Sequence, residues 1–182
     1  TSPDFGVAGV LDRFGQVKPT VLIAADGYVY ANRRHTRLDR LSEVVAGLPS
    51  LEAVIVHGEL EEEPDLGHVR EGNRGLPIVT LDQAVEAGRR AAQGGFGADP
   101  DALYPFDHPL YILYSSGTTG VPKCIVHRAG GLLVKHVVEQ QLHCDIRPGD
   151  RVFYFTTCGW MMWNWLASAL ASGATIVLYD GS

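Results

Sequence analysis

Short apolar runs rich in β-branched residues alternate along this chain with segments of helical periodicity. The first two runs, 21–24 and 53–56, flank a segment in which leucine and valine recur at helical spacing from Leu38 to Leu48. Parallel strands need a long crossover connection, so an order of strand, helix and strand predicts a βαβ unit. The sequence therefore predicts an α/β fold with a mainly parallel sheet.

The same alternation continues after this first unit. Ile78 and Val79 predict a short strand, and Thr80 is a suitable N-cap for a helix from Leu81 to about Ala92. The remaining predicted strands are 111–114, 124–127, 152–156 and 175–179, and the remaining predicted helices are 130–143 and 161–171.

Two irregular regions separate these elements. The glutamate-rich segment 58–75 predicts a surface loop, and the prolines of segment 98–109 predict an extended connector. The polar stretch 32–37 is expected to lead into the first helix. The chain is thus predicted to consist of an α/β portion, 1–109, and a second portion, 110–182, that carries the chemistry.

Composition narrows the classes of function. The chain has 182 residues, of which 46% are hydrophobic and 20% charged, and this balance favours a packed core over disorder. Its net charge of −6 gives no general reason to bind nucleic acid or an anionic membrane, and the longest apolar run, 160–171, is too short to span a bilayer. Three widely spaced cysteines indicate a reducing, cytoplasmic compartment.

The segment from Ser115 to Lys123 directly follows a predicted strand and combines hydroxyls, glycines and one lysine. Glycines let backbone N–H groups approach an anion, hydroxyls donate to phosphate oxygens, and lysine supplies a compact positive charge. The segment does not fit the Walker pattern, since Pro122 replaces its second glycine and Cys124 follows the lysine. A polyphosphate site of another kind is therefore predicted.

The ten residues 114–123, YSSGTTGVPK, resemble the phosphate-binding signature of the adenylate-forming superfamily. The stretches PKCIVH, FYFTTCGWMMWNW and SPDFGVAGVLDRFG are similar to its acetoacetyl-CoA synthetase branch, and the resemblance extends over essentially the whole chain. It implies a piece of the large N-terminal domain of an acyl-CoA synthetase. Cys124 stands where most superfamily members have glycine, which agrees with this branch.

The resemblance also implies a reaction and a set of residues. A carboxylate, here acetoacetate, attacks the α-phosphate of Mg²⁺-bound ATP to give an acyl adenylate and pyrophosphate, and CoA then displaces AMP. The implied catalytic residues are Lys123, Thr118 and Thr119. The implied ATP and pyrophosphate site comprises Ser115, Ser116, Gly117, Thr118, Thr119, Gly120 and Lys123. Because later elements of the family are missing from this sequence, we expect a fragment that is inactive without the remainder of its polypeptide.

Further residues are assigned by the same resemblance. Trp160, Met161 and Met162 follow a glycine at the position that lines the acid pocket in the family, whereas Trp163 and Trp165 are expected in the core. Arg70 and Arg74 resemble a pair that contacts CoA phosphates, with one extra residue between them here.

Other interpretations of the same residues are less consistent with their spacing. His127 follows Cys124 by three residues and His143 adjoins Cys144, but neither spacing fits a four-ligand zinc site, and no metal ion bound by the protein is predicted. A ligase for acetate or propionate, and a non-catalytic phosphate-binding module, remain the alternative functions.

Overall fold

A computed structural model of the chain describes residues 2–71, 73, 75–91, 103–115 and 120–179. One compact unit contains residues 3–101, and another contains residues 102–181. In the part of the chain described, every helix falls short of the length and apolar character needed to cross a membrane.

The unit of residues 3–101 is built on a parallel sheet of three strands. Strands β1 (Val21–Ala25), β4 (Ala53–His57) and β5 (Ile78–Thr80) lie in the order β1-β4-β5, with Leu22 opposite Val54 and Val54 opposite Ile78. These three side chains are buried and begin the hydrophobic core. The predicted α/β class is confirmed, and the sheet is parallel because helices carry the chain back between its strands.

Helices α2 (Leu38–Ala46) and α4 (Leu81–Ala91) pack with this sheet or its core. Helix α2 contributes buried leucine and valine side chains, and α4 follows β5 directly. The predicted cap is confirmed, because the hydroxyl of Thr80 accepts the N–H of Gln83 at 3.2 Å and the Gln83 side chain accepts the N–H of Thr80 at 3.1 Å. Helix α1 (Val7–Val17), which lies before β1 in the chain and packs against the core, was not predicted.

No strand was predicted in the polar stretch 32–37. It belongs to an antiparallel hairpin of β2 (Gly27–Tyr30) and β3 (Arg33–Thr36), in which Tyr30 is opposite Arg33. Ala31 and Asn32 form the turn with φ of 49° and 58°, the conformation of a type I′ hairpin turn. Asparagine favours this conformation but alanine does not, so residues 31 and 32 are only a weak signal for a turn.

The segment 58–75 is also not simply a surface loop. It contains a short helix, α3 (Gly67–Arg70), and its Leu66 and Val69 are buried in the core. At its start, the buried carboxylate of Asp26 accepts the N–H groups of Glu59, Leu60 and Glu61 at 2.8–2.9 Å. These side chains and hydrogen bonds attach the segment to the unit.

The unit of residues 102–181 begins with an antiparallel hairpin of β6 (Pro109–Ser115) and β7 (Lys123–Arg128). Helix α5 (Ala129–Val137) follows and continues as a π-helix, Val138–His143. A second pair of strands, β8 (Arg151–Val152) and β9 (Thr175–Ile176), is parallel. Between them lie α6 (Met161–Ser168) and a 3₁₀ turn, Ala169–Ser172.

Strands β8 and β9 are shorter than the predicted runs 152–156 and 175–179. Phe153, Tyr154 and Phe155 continue from β8 but are exposed by 53%, 43% and 71% of their surfaces. A strand requires a hydrogen-bonded neighbour, and the described residues place none beside these three. The apolar pattern alone therefore overestimated both strand lengths.

Candidate functional site

The predicted phosphate loop lies at the closed end of the β6–β7 hairpin. Ser115, the last residue of β6, is directly opposite Lys123, the first residue of β7. Opposed residues of an antiparallel pair have Cα atoms about 4.5–5.5 Å apart and share one face, so the hydroxyl and the ammonium group project on the same side. The two ends of the loop are therefore fixed beside each other by the strand ladder.

The loop between these ends is only partly described. Gly120 has φ of +101°, a conformation that side-chain-bearing residues rarely adopt, and nothing lies within 4 Å of the position that its Cβ would take. Glycine therefore serves the turn into β7 through its backbone conformation. Ser116, Gly117, Thr118 and Thr119, which were predicted to bind phosphate, lie outside the described residues.

Ser115 is half-buried, whereas Lys123 is exposed. A half-buried hydroxyl beside an exposed ammonium group is suited to an anion that arrives from solvent, because lysine keeps its hydration until the anion replaces it. The arrangement can supply one neutral donor and one positive charge to a phosphate oxygen.

Aromatic and polar contacts stabilise the opposite end of the hairpin. Tyr111 and His127 face each other across the strands with ring centroids 5.7 Å apart, and burial raises the pKa of the Tyr111 phenol. The phenol is thus neutral at physiological pH. The Arg128 guanidinium donates to the carbonyl of Asp107 at 2.7 Å, which fixes the end of β7 against the preceding turn.

Gly130, at the start of α5, permits a close approach of the same preceding turn. Its N–H donates to the carbonyl of Phe106 at 2.9 Å, and a Cβ at position 130 would lie 2.2 Å from the Phe106 ring. Only glycine leaves room for that ring. The start of α5 is therefore seated directly beside the hairpin that carries the loop.

The strand register bears on the zinc interpretation of Cys124 and His127. Cys124 is opposite Tyr114 and His127 is opposite Tyr111, so their side chains leave β7 on different faces. Across the described ranges, no group of three or more histidine, cysteine or acidic side chains is arranged to hold a metal ion. None of the three cysteines forms a disulfide bond.

The predicted acid-pocket residues lie at the N-terminus of α6. Trp160 is the N-cap residue and is 68% exposed, and Met161 is 53% exposed. Met162 is half-buried on the stripe that continues into the buried residues Leu166 and Ala169. Thus Trp160 and Met161 offer open apolar surface, whereas Met162 turns towards the packed side of the helix.

Trp163 and Trp165, predicted in the core, are half-buried. The ring of Trp165 makes an edge-on contact with Tyr154, with centroids 6.2 Å apart. Neither tryptophan is therefore fully enclosed in the core.

The two arginines predicted to contact CoA lie in the other unit. The Arg70 guanidinium donates to the carbonyl of Ile78 at 2.8 Å and 3.1 Å, which joins the end of α3 to β5. Part of its donor capacity is used by the backbone, although the residue is exposed. Arg74 lies outside the described residues.

A buried polar network joins α5 and its π-helical extension to α6. His136 Nδ1 lies 2.8 Å from the hydroxyl of Ser168, and the Gln140 amide donates to that hydroxyl at 2.9 Å and to the carbonyl of Trp165 at 2.8 Å. Ser168 also donates to the Trp165 carbonyl at 2.8 Å, and Ser172 donates to Gln140 Oε1 at 3.1 Å. His136, Gln140 and Ser172 are 5%, 0% and 2% exposed.

Sequence reasoning missed this network. Its available signal was a pair of polar residues four apart in each of two apolar segments, His136 with Gln140 and Ser168 with Ser172. Such spacing puts each pair on one face of a helix, but it does not show that the two faces meet.

Burial and neighbouring charges determine the protonation of the network's histidine. Burial lowers the pKa of His136, and the charged groups nearby are Glu139, Lys135 and His127, of which only the first favours the protonated form. Glu139 is paired with Lys135 at 2.6 Å, and this hydrogen bond lowers the pKa of the Glu139 carboxyl. No residue of α6 has a titratable side chain. His136 is therefore neutral near pH 7.

All 182 residues match a single family model, described as AMP-binding enzyme. The chain therefore belongs to the AMP-binding enzyme family, and its predicted phosphate loop occupies the hairpin just described.

Individual relatives define the branch of the family. The chain is 49% identical to acetoacetyl-coenzyme A synthetase of Rhizobium meliloti (strain 1021) and 45% identical to acetoacetyl-CoA synthetase of Xenopus tropicalis, with 100% of this chain and 26% of each relative covered. It is 46% identical to a malonamoyl-CoA synthetase of Penicillium aethiopicum, of which it covers 24%. The resemblance to the acetoacetyl-CoA synthetase branch is confirmed.

A solved structure shows the same relationship. The acetoacetyl-CoA synthetase from Streptomyces lividans matches with a TM-score of 0.80 at 45% identity, covering 100% of this chain and 25% of that one. The chain thus spans about a quarter of the length of these relatives.

Proposed function

We propose that this chain is the phosphate-loop part of an ATP-dependent acid–CoA ligase that converts acetoacetate, ATP and CoA into acetoacetyl-CoA, AMP and pyrophosphate. The observation that carries the proposal is the opposition of Ser115 and Lys123 at the base of the SSGTTG segment. Family membership and the relatives named above support the reaction, and their length assigns it to a longer polypeptide.

The first chemical step would be attack of the acid carboxylate on the α-phosphorus of ATP. The bond to the bridging oxygen breaks, an acyl adenylate forms, and pyrophosphate leaves with the electron pair. Charge grows on the leaving pyrophosphate, so preorganised donors and a cation stabilise the transition state more than the bound ATP. We assign Lys123, Thr118 and Thr119 to this catalytic role.

The other members of the loop would bind the phosphates. Ser115 and Ser116 supply hydroxyl donors, and Gly117 and Gly120 allow the backbone to approach. Mg²⁺ enters as the complex with ATP and is written here as part of the substrate. In the second step the CoA sulfur attacks the acyl carbon and AMP departs.

The acid and CoA would be bound by other parts of the chain. We assign Trp160, Met161 and Met162 to the wall of the acid pocket, since the first two present open apolar surface at the start of α6. We assign Arg70 and Arg74 to the phosphates of CoA. Arg70 is exposed, which suits a role in binding an anion.

Exposed apolar surface supports the proposal that the remainder of a longer polypeptide packs on the unit of residues 102–181. On the hairpin, Leu110, Ile112, Ile125 and Val126 are between 38% and 52% exposed. Apolar surface of this extent in a soluble protein usually indicates an interface. The three cysteines, none of which forms a disulfide bond, are consistent with a reducing, cytoplasmic compartment, which remains a prediction.

Malonamate is a second candidate acid, because one relative is a malonamoyl-CoA synthetase at 46% identity. Malonamate and acetoacetate each carry a carbonyl two carbons from the carboxylate and differ in an amide nitrogen against a methyl group. A pocket that recognises the second carbonyl would accept both and would reject butyrate, which lacks it.

Acid-dependent exchange of pyrophosphate into ATP by the full-length polypeptide tests the proposal. We expect exchange with acetoacetate to exceed that with acetate, propionate or butyrate. Lys123→Ala should lower the exchange rate about 100-fold or more, the usual effect of removing one transition-state donor.

Lys18→Ala is the matched control, since Lys18 is an exposed lysine at the end of α1. A wild-type rate of pyrophosphate exchange by Lys123→Ala would show that the loop does not take part in the mechanism. Absence of exchange with every acid, together with heat on titration with pyrophosphate, would instead support the non-catalytic phosphate-binding module.

A further inference from the structure

The buried network between α5 and α6 has a single consistent arrangement of hydrogen atoms. The one hydroxyl hydrogen of Ser168 goes to the Trp165 carbonyl, and the two amide hydrogens of Gln140 go to that carbonyl and to the Ser168 oxygen. The Ser168 hydroxyl then uses its only hydrogen and one of its two lone pairs. Its second lone pair accepts a hydrogen bond from His136 Nδ1 when the neutral ring carries its hydrogen on that nitrogen.

The end of α6 explains why this network is needed. The helix tightens into a 3₁₀ turn at Ala169, whose N–H bonds to the carbonyls of Ala167 and Leu166. The carbonyl of Trp165 thus depends on Gln140 and Ser168 for its partners. Because Gln140 is fully buried, water cannot replace it if α6 turns.

Gln140 lies in the π-helical continuation of α5. The N–H of Cys144 bonds to the carbonyl of Glu139, five residues earlier, and the segment Val138–His143 is wider than an α-helix. His136 and Gln140 are four residues apart, so their side chains leave the helical segment on the same side, and both contact Ser168 of α6.

Ser168 of the network and Met161 at the exposed N-terminal end of α6 lie on nearly the same face of the helix. Ser168 follows Met161 by seven residues, and at about 100° per residue their side chains point within about 20° of each other. A rotation of α6 that separated Ser168 from His136 would therefore swing Met161 by the same angle. With side chains extending about 5–6 Å from the axis, a 20° rotation moves the tip of Met161 by about 2 Å.

We propose that His136, Gln140, Ser168 and Ser172 are positioning residues that fix the rotation of α6 and thereby set the affinity and selectivity for the acid. The proposal rests on the proposed function, in which Trp160 and Met161 form part of the acid-pocket wall. It adds four residues that do not touch the acid but hold the helix that does.

Steady-state kinetics of the full-length polypeptide test the proposal. Ser168→Ala and His136→Leu should raise the KM for acetoacetate about tenfold or more, since displacement by about an ångström or two strongly impairs positioning. The KM for ATP should change by less than about twofold because the hairpin that carries Lys123 is not altered. The ratio of kcat/KM for acetoacetate to that for butyrate should fall with both variants.

Two further variants separate positioning from general loss of packing. His136→Asn keeps an N–H donor near the position of Nδ1 and should restore the KM for acetoacetate to within about threefold of wild type. His143→Leu removes an exposed histidine from the end of the same helical segment and serves as the matched control.

A double-mutant cycle identifies the route of the effect. If Ser168 acts through Met161, then Ser168→Ala should add almost nothing to the KM for acetoacetate in a Met161→Ala background. Independent, additive effects of the two substitutions would contradict that route.

The proposal is overturned if Ser168→Ala folds with normal circular dichroism and leaves the KM and the acid selectivity unchanged. Equal rises in the KM for ATP and for acetoacetate would also overturn it, since they indicate general loosening. If the wild-type polypeptide activates none of the acids, the proposed function fails separately. A crystal structure of Ser168→Ala then decides the inference, because an unmoved Met161 contradicts it whatever the activity.

Discussion

Replacing Asp26 by alanine tests the strongest buried polar contact in the unit of residues 3–101. The carboxylate is 3% exposed and accepts the N–H groups of Glu59, Leu60 and Glu61. It fixes the turn that follows β4 to the end of β1. Alanine would leave three backbone donors without their charged acceptor.

The size of the effect follows from these contacts. At about 1.5–3 kcal/mol for each hydrogen bond to a charged acceptor, three bonds set an upper bound of about 5–9 kcal/mol. Glu59 and Glu61 are exposed, so water can reach their freed N–H groups. We therefore expect Asp26→Ala to lower the free energy of unfolding by about 2–4 kcal/mol, a large part of the stability of an ordinary domain.

Asparagine provides an intermediate perturbation. Asp26→Asn keeps one acceptor oxygen but directs an NH₂ group at one of the N–H donors, so we expect a loss of about 1–2 kcal/mol. Asp12→Asn is the control, because Asp12 is exposed on α1. The predicted order of stability is wild type and Asp12→Asn, then Asp26→Asn, then Asp26→Ala.

Urea unfolding of the 182-residue chain, followed by far-ultraviolet circular dichroism, measures the free energies. Hydrogen exchange of the amides of residues 59–61 shows whether the same contacts are responsible, since these amides should lose protection first. Unchanged urea midpoints for both Asp26 variants would refute the reasoning. Loss of stability with full protection of the three amides would show that the carboxylate acts elsewhere.

Two other predictions concern the unit of residues 102–181. Gly130→Ala should lower the free energy of unfolding by about 1–3 kcal/mol, because the new Cβ would overpack against Phe106. The loss is measurable as a lower Tm. Gly131→Ala is the control and should be neutral or stabilising, because nothing lies within 4 Å of its new Cβ. Burial lowers the pKa of His136, so as pH falls the unfolded chain takes up a proton first, and stability is lost from about pH 6.5 down through the folded-state pKa. His136→Asn should reduce this decline in urea titrations between pH 7 and 5, and an unchanged slope would show that His136 does not contribute.

Much of the parallel sheet could be predicted from the sequence because its signals are local. The runs 21–24 and 53–56 became β1 and β4, and the capping pair of Thr80 and Gln83 lies within four residues. Helical spacing was also present within α1, with Val7, Val10, Leu11 and Phe14 packed against the core, but two glycines weakened the signal.

The elements that were missed depend on tertiary contacts. The hairpin of β2 and β3 turns through Ala31, a residue that does not favour positive φ, so the surrounding pairing imposes its conformation. Segment 58–75 was interpreted as a loop because of its glutamates. Two of its apolar residues, Leu66 and Val69, are nevertheless buried in the core.

By itself, the sequence determined the α/β class and the family, since short motifs and local periodicity carry that information. Only the tertiary structure placed Ser115 opposite Lys123 and brought His136 and Gln140 against Ser168. Ser168 is 32 residues from His136 and 28 from Gln140. Contacts over such separations depend on how strands and helices pack, which the spacing of residues within one segment does not encode.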